Sequence, residues 1–327
     1  MSRSALARLS SVDDLPAELA GGVVAVGNFD GVHRGHQAVF GAARRIAETE
    51  RRPLVCLTFE PHPRSVFNPD EPVARLTPAP MKARLLQALG FRAVVEQPFD
   101  RAFAALDPDH FVRSVLVESL QASHVVAGFD FHYGARRGGT PDTLAAAGRS
   151  SGFGTTLVPA LVDADGEVVS SSRIRTLLEA GEAAAAASLF GFRWTIRGTI
   201  GKGAQIGRTL GYPTANMRLE PESLLAHGIY AVRLRRADGS LHDGVASFGR
   251  RPTFDDGAAL FETFLFDFSG DLYGETVDVS IFGFLRGEER FDSAQALVAQ
   301  MDRDADAARA VLATASPLSD LDRAVAF

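Results

Sequence analysis

One cysteine, Cys56, stands among 327 residues. A single thiol excludes an internal disulfide framework and a cysteine-built zinc cage. Its setting, Leu54-Val55-Cys56-Leu57, reads as an apolar strand in which the thiol is a small core hydrophobe. An excess of positive charge is also missing: 34 Lys and Arg stand against 40 Asp and Glu, a formal net charge of −6. That balance argues against a nucleic-acid backbone or an anionic membrane as partner, and still leaves room for a local basic pocket. No apolar run approaches the ~20 residues of a membrane span. The N-terminal stretch lacks a secretory apolar core and is interrupted by Asp13, Asp14 and Glu18. No internal repeat or low-complexity tract is present. The expectation is a cytoplasmic chain, monomeric or weakly homo-oligomeric, with no nucleic-acid and no membrane partner.

What is present is ordinary globular composition, 46% apolar and 23% charged, in a chain long enough for two domains. In the first half, short apolar or β-branched runs (22–26, 54–59, 93–95, 124–127, 155–158) alternate with helical patterns (37–50, 81–89, 109–120). That alternation predicts βαβ units around a parallel sheet. Near residue 180 the texture changes. Glu182 and the five alanines after it predict a short helix at the domain junction, since Ala has the best intrinsic helix propensity. Strand-like runs follow without helices between them (194–200, 229–235, 244–248, 261–268, 276–282), separated by turns such as Asp238-Gly239 and Asp256-Gly257. They predict an antiparallel sheet or barrel. A closing helix comes last, with Asp292 as its expected cap and Gln295 three residues on.

The densest stretch is GNFDGVHRGH, residues 27–36, directly behind the first apolar run. It is the expected loop between a buried parallel strand and a helix, at the carboxyl end where ligands of open α/β sheets bind. His33 and His36 lie one helical turn apart and share a face. Gly31 and Gly35 let a ligand approach the backbone, and the helix N-terminus adds free N–H groups and partial positive charge. Together these features make an anion site with two proton donors. A structural role for one histidine, or metal ligation by both, are the competing readings; the second lacks a third ligand nearby.

His33-Arg34-Gly35-His36 resembles the HxGH motif of the nucleotidyltransferase superfamily, and the longer GNFDGVHRGHQ resembles the N-terminal module of the bacterial bifunctional riboflavin kinase/FAD synthetase family. Val169-Ser170-Ser171-Ser172-Arg173-Ile174-Arg175 is similar to the superfamily's second signature, with Ser172 where Thr is usual. The resemblance implies that FMN is adenylylated from ATP with release of pyrophosphate, a reaction in which the substrate is the nucleophile and the protein positions anions and neutralises charge. It assigns His33 and His36 to ATP phosphates, and Ser170, Ser171, Ser172 and Arg175 to the triphosphate. Gly27, Asn28, Phe29, Asp30 and Gly31 fall on the adenylate side, and Asp130 in the flavin or adenine pocket. Two departures stand out: His132 replaces a usual Arg, and the run Arg136-Arg137-Gly138-Gly139-Thr140 ends in Thr140 where an acid is common.

A second dense stretch, GKGAQIGRTLGYPTANM (201–217), is glycine-rich like a phosphate loop but is not a Walker A motif, because Lys202 is followed by Gly203. Gly211-Tyr212-Pro213-Thr214-Ala215-Asn216 resembles the G(F/Y)PTAN signature of riboflavin kinases. The resemblance implies ATP and flavin contacts at Gly201, Gly207, Arg208, Gly211, Pro213, Thr214 and Asn216. Thr214 and Asn216 offer neutral oxygens suited to Mg²⁺. In FETFLFDF, alternation places Glu262 on one face with Phe264, Phe266 and Phe268, though an exposed edge-strand glutamate fits the pattern too. The resemblance makes Glu262 the base that takes the ribityl hydroxyl proton. Ser247 stands where Asn is more usual. Asp243 and Asp271 read as turn residues.

The fold expected is thus a Rossmann-like nucleotidyltransferase domain with a parallel sheet (1–186), followed by an antiparallel β-barrel with a closing α-helix (187–327). The substrates implied are riboflavin, FMN and ATP, with FAD as product, Mg²⁺ as the metal and no tightly bound prosthetic group. A kinase with an idle adenylylating half, a flavin-binding regulator and a cytidylyltransferase are the rival readings.

Overall fold

The computed structural model describes residues 5–202, 211–219, 223–250 and 259–327. The chain divides into two compact units, Met1–Ser171 and Ser172–Phe327.

In the first unit, six strands form one sheet: β1 (Ala7–Leu9), β2 (Val23–Val26), β3 (Leu54–Glu60), β4 (Ala93–Pro98), β5 (His124–Gly128) and β6 (Gly154–Val158). Their order is β1-β4-β3-β2-β5-β6, parallel at every pairing. The central strands VVAV and LVCLTFE are buried almost end to end, as strands covered on both faces must be. Cys56 is fully buried among them. After β2 the chain builds β3 and β4 on one side, then returns to place β5 on the other. The carboxyl ends of β2 and β5 therefore form a topological switch point. The helix Arg34–Glu50 leaves directly from it, burying Val39, Phe40 and Ala43.

β1 and the helix Pro141–Ser151 are among the elements not anticipated. β1 is a three-residue edge strand whose exposed Arg8 binds Glu96 at 2.8 Å. The helix Pro141–Ser151 is capped by Thr140, whose hydroxyl accepts from Thr143 N while Thr143 reciprocates. The Thr140 departure has a physical reason: Thr and Asp are both good N-caps.

In the second unit the alanine run folds as the helix Ala183–Phe190, ended by Gly191 at φ 76°. The strands β7 (Thr195–Thr199), β8 (Thr214–Arg218), β9 (Gly228–Arg235), β10 (Leu241–Arg250), β11 (Ala259–Leu265) and β12 (Thr276–Arg286) form an antiparallel sheet in the order β7-β12-β9-β10-β11-β8. The edges come together where Gly201 N donates to Asn216 O at 2.8 Å, nearly closing a barrel. Cross-strand neighbours Tyr230, Ala246, Thr263 and Ala215 fill one face. On the opposite face Ala231, Val245 and Phe264 meet Ala308 and Leu312 of the closing helix Ala294–Ala313.

Four expectations need correction. Ser293, not Asp292, caps the closing helix, its hydroxyl accepting from Ala296 N at 3.1 Å. The run expected over 261–268 ends as a strand at Leu265, because Asp267 turns the chain at φ 54°. Residues 214–218 are strand β8 rather than loop. Asp243 lies in β10 and pairs with Arg233 at 2.6 Å instead of shaping a turn, whereas Asp271 does shape one, accepting from Tyr273 N at 2.9 Å.

Candidate active sites

The 27–36 loop leaves β2 through two left-handed non-glycine residues, Phe29 (φ 47°) and Val32 (φ 45°), both buried. A β-branched residue in that region is strained by about 1–3 kcal/mol and persists only where its surroundings over-determine it. They do so here. The Asp30 carboxylate is turned into the protein, accepting from Leu76 N at 3.2 Å, Thr77 N at 3.0 Å and Arg75 Nε at 3.4 Å. Gly31 N donates to Thr77 Oγ1 at 2.8 Å. Asn28 O accepts from Thr58 Oγ1 at 2.9 Å and Lys82 Nζ at 3.0 Å.

This frame presents the histidines. His33 is the N-cap of helix Arg34–Glu50, its Nδ1 accepting from His36 N at 3.4 Å. The two imidazoles stack with centroids 3.6 Å apart, and Phe29 braces His36 edge-on at 5.3 Å. His36 Nδ1 is buried with no hydrogen-bond partner among the described residues. Burial first, then the charges of His33 and Lys82, hold the His36 pKa well below 6.5, so the ring is neutral at pH 7. A Cβ on Gly35 would come within 3.1 Å of the His33 ring and 3.3 Å of Val169 O, so a side chain there would press on both the histidine and the serine-rich segment. Ser171 Oγ donates to Asp30 O at 2.7 Å, joining the second signature to the first. Ser171 also begins the helix Ser171–Glu179, which carries Ser172 and Arg175 in its first turns. Asp130 is exposed just beyond β5, and its carbonyl contacts His132 Nδ1 at 2.8 Å.

In the second unit, strand register lines up Asn216, Glu262, Ser247 and Ile229 as direct neighbours across β8, β11, β10 and β9. Thr214 lies opposite Phe264 on the same face. The alternation expected around Glu262 is therefore seen as far as Phe264. Asn216 is buried and spends its Nδ2 on Thr214 O at 3.0 Å; its Oδ1 is buried with no partner among the described residues. Tyr212 packs against Phe264 in a tilted pair with centroids 4.7 Å apart and donates to Asp302 on the closing helix. Burial and that carboxylate push its phenol up to about 12. Gly211 and Pro213 flank Tyr212 and are exposed. Gly207, Arg208 and the turn at Asp256-Gly257 lie outside the described residues.

Family models agree with this division of labour: FAD synthetase over residues 15–173 and riboflavin kinase over residues 190–312. The chain belongs to the bifunctional riboflavin kinase/FMN adenylyltransferase family. Members similar to it come from Listeria monocytogenes (39% identical, covering 89% of this chain and 92% of that one) and Pseudomonas fluorescens (38%, 92% and 96%). Another comes from Escherichia coli K12 (36%, 91% and 95%). A solved structure described as a macrolide-efflux protein from Streptococcus pneumoniae has the same fold. It superposes with a TM-score of 0.81 at 31% identity, covering 95% of this chain and all of that one. No described helix of the present chain is long and apolar enough to cross a membrane.

The bifunctional enzyme phosphorylates riboflavin and adenylylates FMN, using ATP as substrate. Beneath the 27–36 loop lies a group of charges that sequence reasoning missed: Lys82, Glu60 and Arg75, joined to Asp30. Burial opposes the charge on Glu60, but hydrogen bonds from Arg75 and the Lys82 charge outweigh it and bring its pKa down to about 2. Lys82 was legible in principle. It shares a helix face with Leu85 and Leu86, both fully buried, and a lysine on an apolar stripe is a sign of an internal partner.

Proposed function

We propose that the reactions are divided among residues as follows. In adenylyl transfer, His33 and His36 donate to ATP phosphate oxygens. Gly27, Asn28, Phe29, Asp30 and Gly31 build the loop that carries them. Ser170, Ser171, Ser172 and Arg175 contact the phosphates, and Asp130 the nucleotide or flavin. The observation that carries the reading is the stacked imidazole pair at a helix N-terminus, with His33 buried and His36 half-buried. Because His33 Nδ1 is an acceptor, its proton stays on Nε2, which makes that atom a donor. A neutral His36 donates without adding charge that would bind ATP equally in ground and transition states. An FMN phosphate oxygen attacks the α-phosphorus, the bond to the bridging oxygen breaks, and pyrophosphate leaves with the electron pair. No protein nucleophile is needed.

In riboflavin phosphorylation, Glu262 takes the proton of the ribityl 5′-hydroxyl as its oxygen bonds to the γ-phosphorus and ADP leaves. Thr214 and Asn216 fit a divalent ion of the Mg²⁺ type, since the buried Asn216 Oδ1 is an acceptor with no donor among the described residues. Mg²⁺ bound there would supply neutralisation of phosphate charge. Gly201, Gly207, Arg208, Gly211 and Pro213 complete the nucleotide and flavin contacts. The functional boundary is placed at 186/187, between the two family matches. The enzyme is proposed to be cytoplasmic, monomeric or weakly homo-oligomeric, with no nucleic-acid or membrane partner and no tightly bound prosthetic group.

The test is a chromatographic time course with riboflavin, ATP and Mg²⁺. FMN that rises and then converts to FAD supports the division. FMN that accumulates even when supplied with fresh ATP removes His33 and His36 from chemistry.

A further inference from the structure

Lys82 is a buried charged group that neither reaction consumes. It sits in the first turn of the helix Ala79–Ala88, the positive end of the helix dipole, where an ammonium does nothing for the helix itself. Its side chain is fully buried, and such a charge is tolerated only when its protons are matched. All three are: Asn28 O at 3.0 Å, Thr58 Oγ1 at 3.0 Å and Glu60 Oε1 at 3.1 Å. Glu60 also holds Arg75 at 2.5 and 2.7 Å, and Arg75 reaches Asp30. Two carboxylates and two cations cancel. Lys82 and Asp30 are buried while Glu60 and Arg75 are half-buried; replacing a balanced group of this kind by apolar side chains is often neutral for stability, so stability alone does not explain where the ammonium points. It points at the Asn28 carbonyl, the peptide just before the left-handed turn at Phe29. The Phe29 ring lies 5.3 Å from His36 and 4.5 Å from Phe40. The line from ammonium to carbonyl to turn to ring ends on the imidazole.

We propose that Lys82 is a positioning residue for adenylyl transfer: by holding the Asn28 carbonyl it fixes the turn at Phe29 and so the His36 ring against the ATP phosphates. The proposal rests on the reading of His36 given above. A group that acts only on the placement of a donor changes the rate of the step more than the binding of substrates, and a misplacement of 1 Å costs on the order of 100-fold.

The full-length protein carries the test, with riboflavin kinase activity as an internal control. Lys82→Met alone leaves Glu60 partly unpaired, so the informative comparison is the charge-balanced K82M/E60Q against E60Q. The expected result is an adenylyl-transfer kcat at least 30-fold below E60Q, with KM for ATP and FMN within threefold and kinase activity unchanged. A K82M/E60Q kcat within threefold of E60Q overturns the proposal, since Lys82 would then only balance Glu60. If the double variant gives no cooperative melting transition for the first unit, Thr58→Val takes its place. It keeps the volume and all charges while removing one hydrogen bond each from Asn28 O and Lys82. A kcat three- to tenfold down supports the proposal, and an unchanged kcat overturns it. His36→Ala separates the two levels. Lost activity there with an unaffected K82M/E60Q overturns the role of Lys82 alone; retained activity overturns the reading of His36 and the proposal with it.

Discussion

At His36 the imidazole is neutral because burial first, then the electrostatics of neighbouring His33 and Lys82, disfavour its charge. Its folded-state pKa lies below 6.5, so the stability it contributes is complete above about pH 6.5 and drains as pH falls toward the folded value. Adenylyl transfer should accordingly hold steady from pH 7 upward with respect to this group. His36→Ala should lower FAD formation by at least 100-fold while FMN formation from riboflavin continues, measured by separating the two flavins over time. Both activities falling together would mean that one site serves both steps. Glu262→Gln should give the mirror image. General-base catalysis is worth roughly 10²–10⁴-fold, so riboflavin phosphorylation should fall by that factor while supplied FMN is still adenylylated; an unchanged kinase rate would remove Glu262 as the base. Glu60 gives a pH prediction of its own. Its pKa is lowered from 4.5 to about 2, so its contribution is present above pH 4.5 and lost as pH falls toward 2. The stability gap between wild type and Glu60→Gln, read from urea melts of the first unit, should close over that window. A gap that stays constant down to pH 3 would show that Glu60 is not held ionised by Arg75 and Lys82.

At the scale of elements, what the sequence made legible follows the strength of the local signal. β2 and β3 were plain because a strand covered on both faces is an unbroken apolar run, and the loop between β2 and its helix was plain because its glycines and histidines have few alternative uses. β8 was hidden: Thr-Ala-Asn-Met-Arg has weak strand propensity and sits behind a glycine-rich stretch, and it becomes a strand only through pairing with β11. The closing cap was misread by one residue because Asp292 and Ser293 are both good caps, and only the structure shows which side-chain oxygen meets Ala296 N. The buried charges beneath the loop escaped because their members lie at positions 30, 60, 75 and 82, a grouping set by tertiary contact alone. The last helix, Asp320–Ala326, is another such case. Asp322 is fully buried and accepts from Arg193 N at 2.7 Å, Leu318 N at 2.9 Å and the Arg193 guanidinium, which lies 4.5 Å from the Phe282 ring centroid. Asp322→Ala would strand that guanidinium, and breaking a buried pair costs about 3–5 kcal/mol. The melting transition of the second unit should drop steeply and kinase activity should disappear on warming before adenylyl transfer does. An unaltered melt would show that the helix contributes nothing to the barrel's stability.

At the scale of the whole molecule, the enzyme makes its own intermediate: FMN is the product of one reaction and the nucleophile of the next. The residues proposed for the two steps fall in separate stretches of the chain, from Gly27 to Arg175 and from Gly201 to Glu262, with Ser172 and Arg175 already in the second compact unit, and each unit has its own sheet and its own core. That arrangement makes the two steps separable between molecules. A chain carrying His36→Ala makes FMN and stops; a chain carrying Glu262→Gln cannot start but can finish. Mixed in equal amounts with riboflavin, ATP and Mg²⁺, the two should restore FAD formation, because FMN leaves the first chain and enters the second from solution. The lag before FAD appears should shorten as total protein is raised, since the intermediate then reaches its working concentration sooner. If the mixture makes FMN but no FAD, while the second variant alone still adenylylates FMN added by hand, then FMN passes between sites only within one chain, and the two units are coupled in a way that their separate cores do not require.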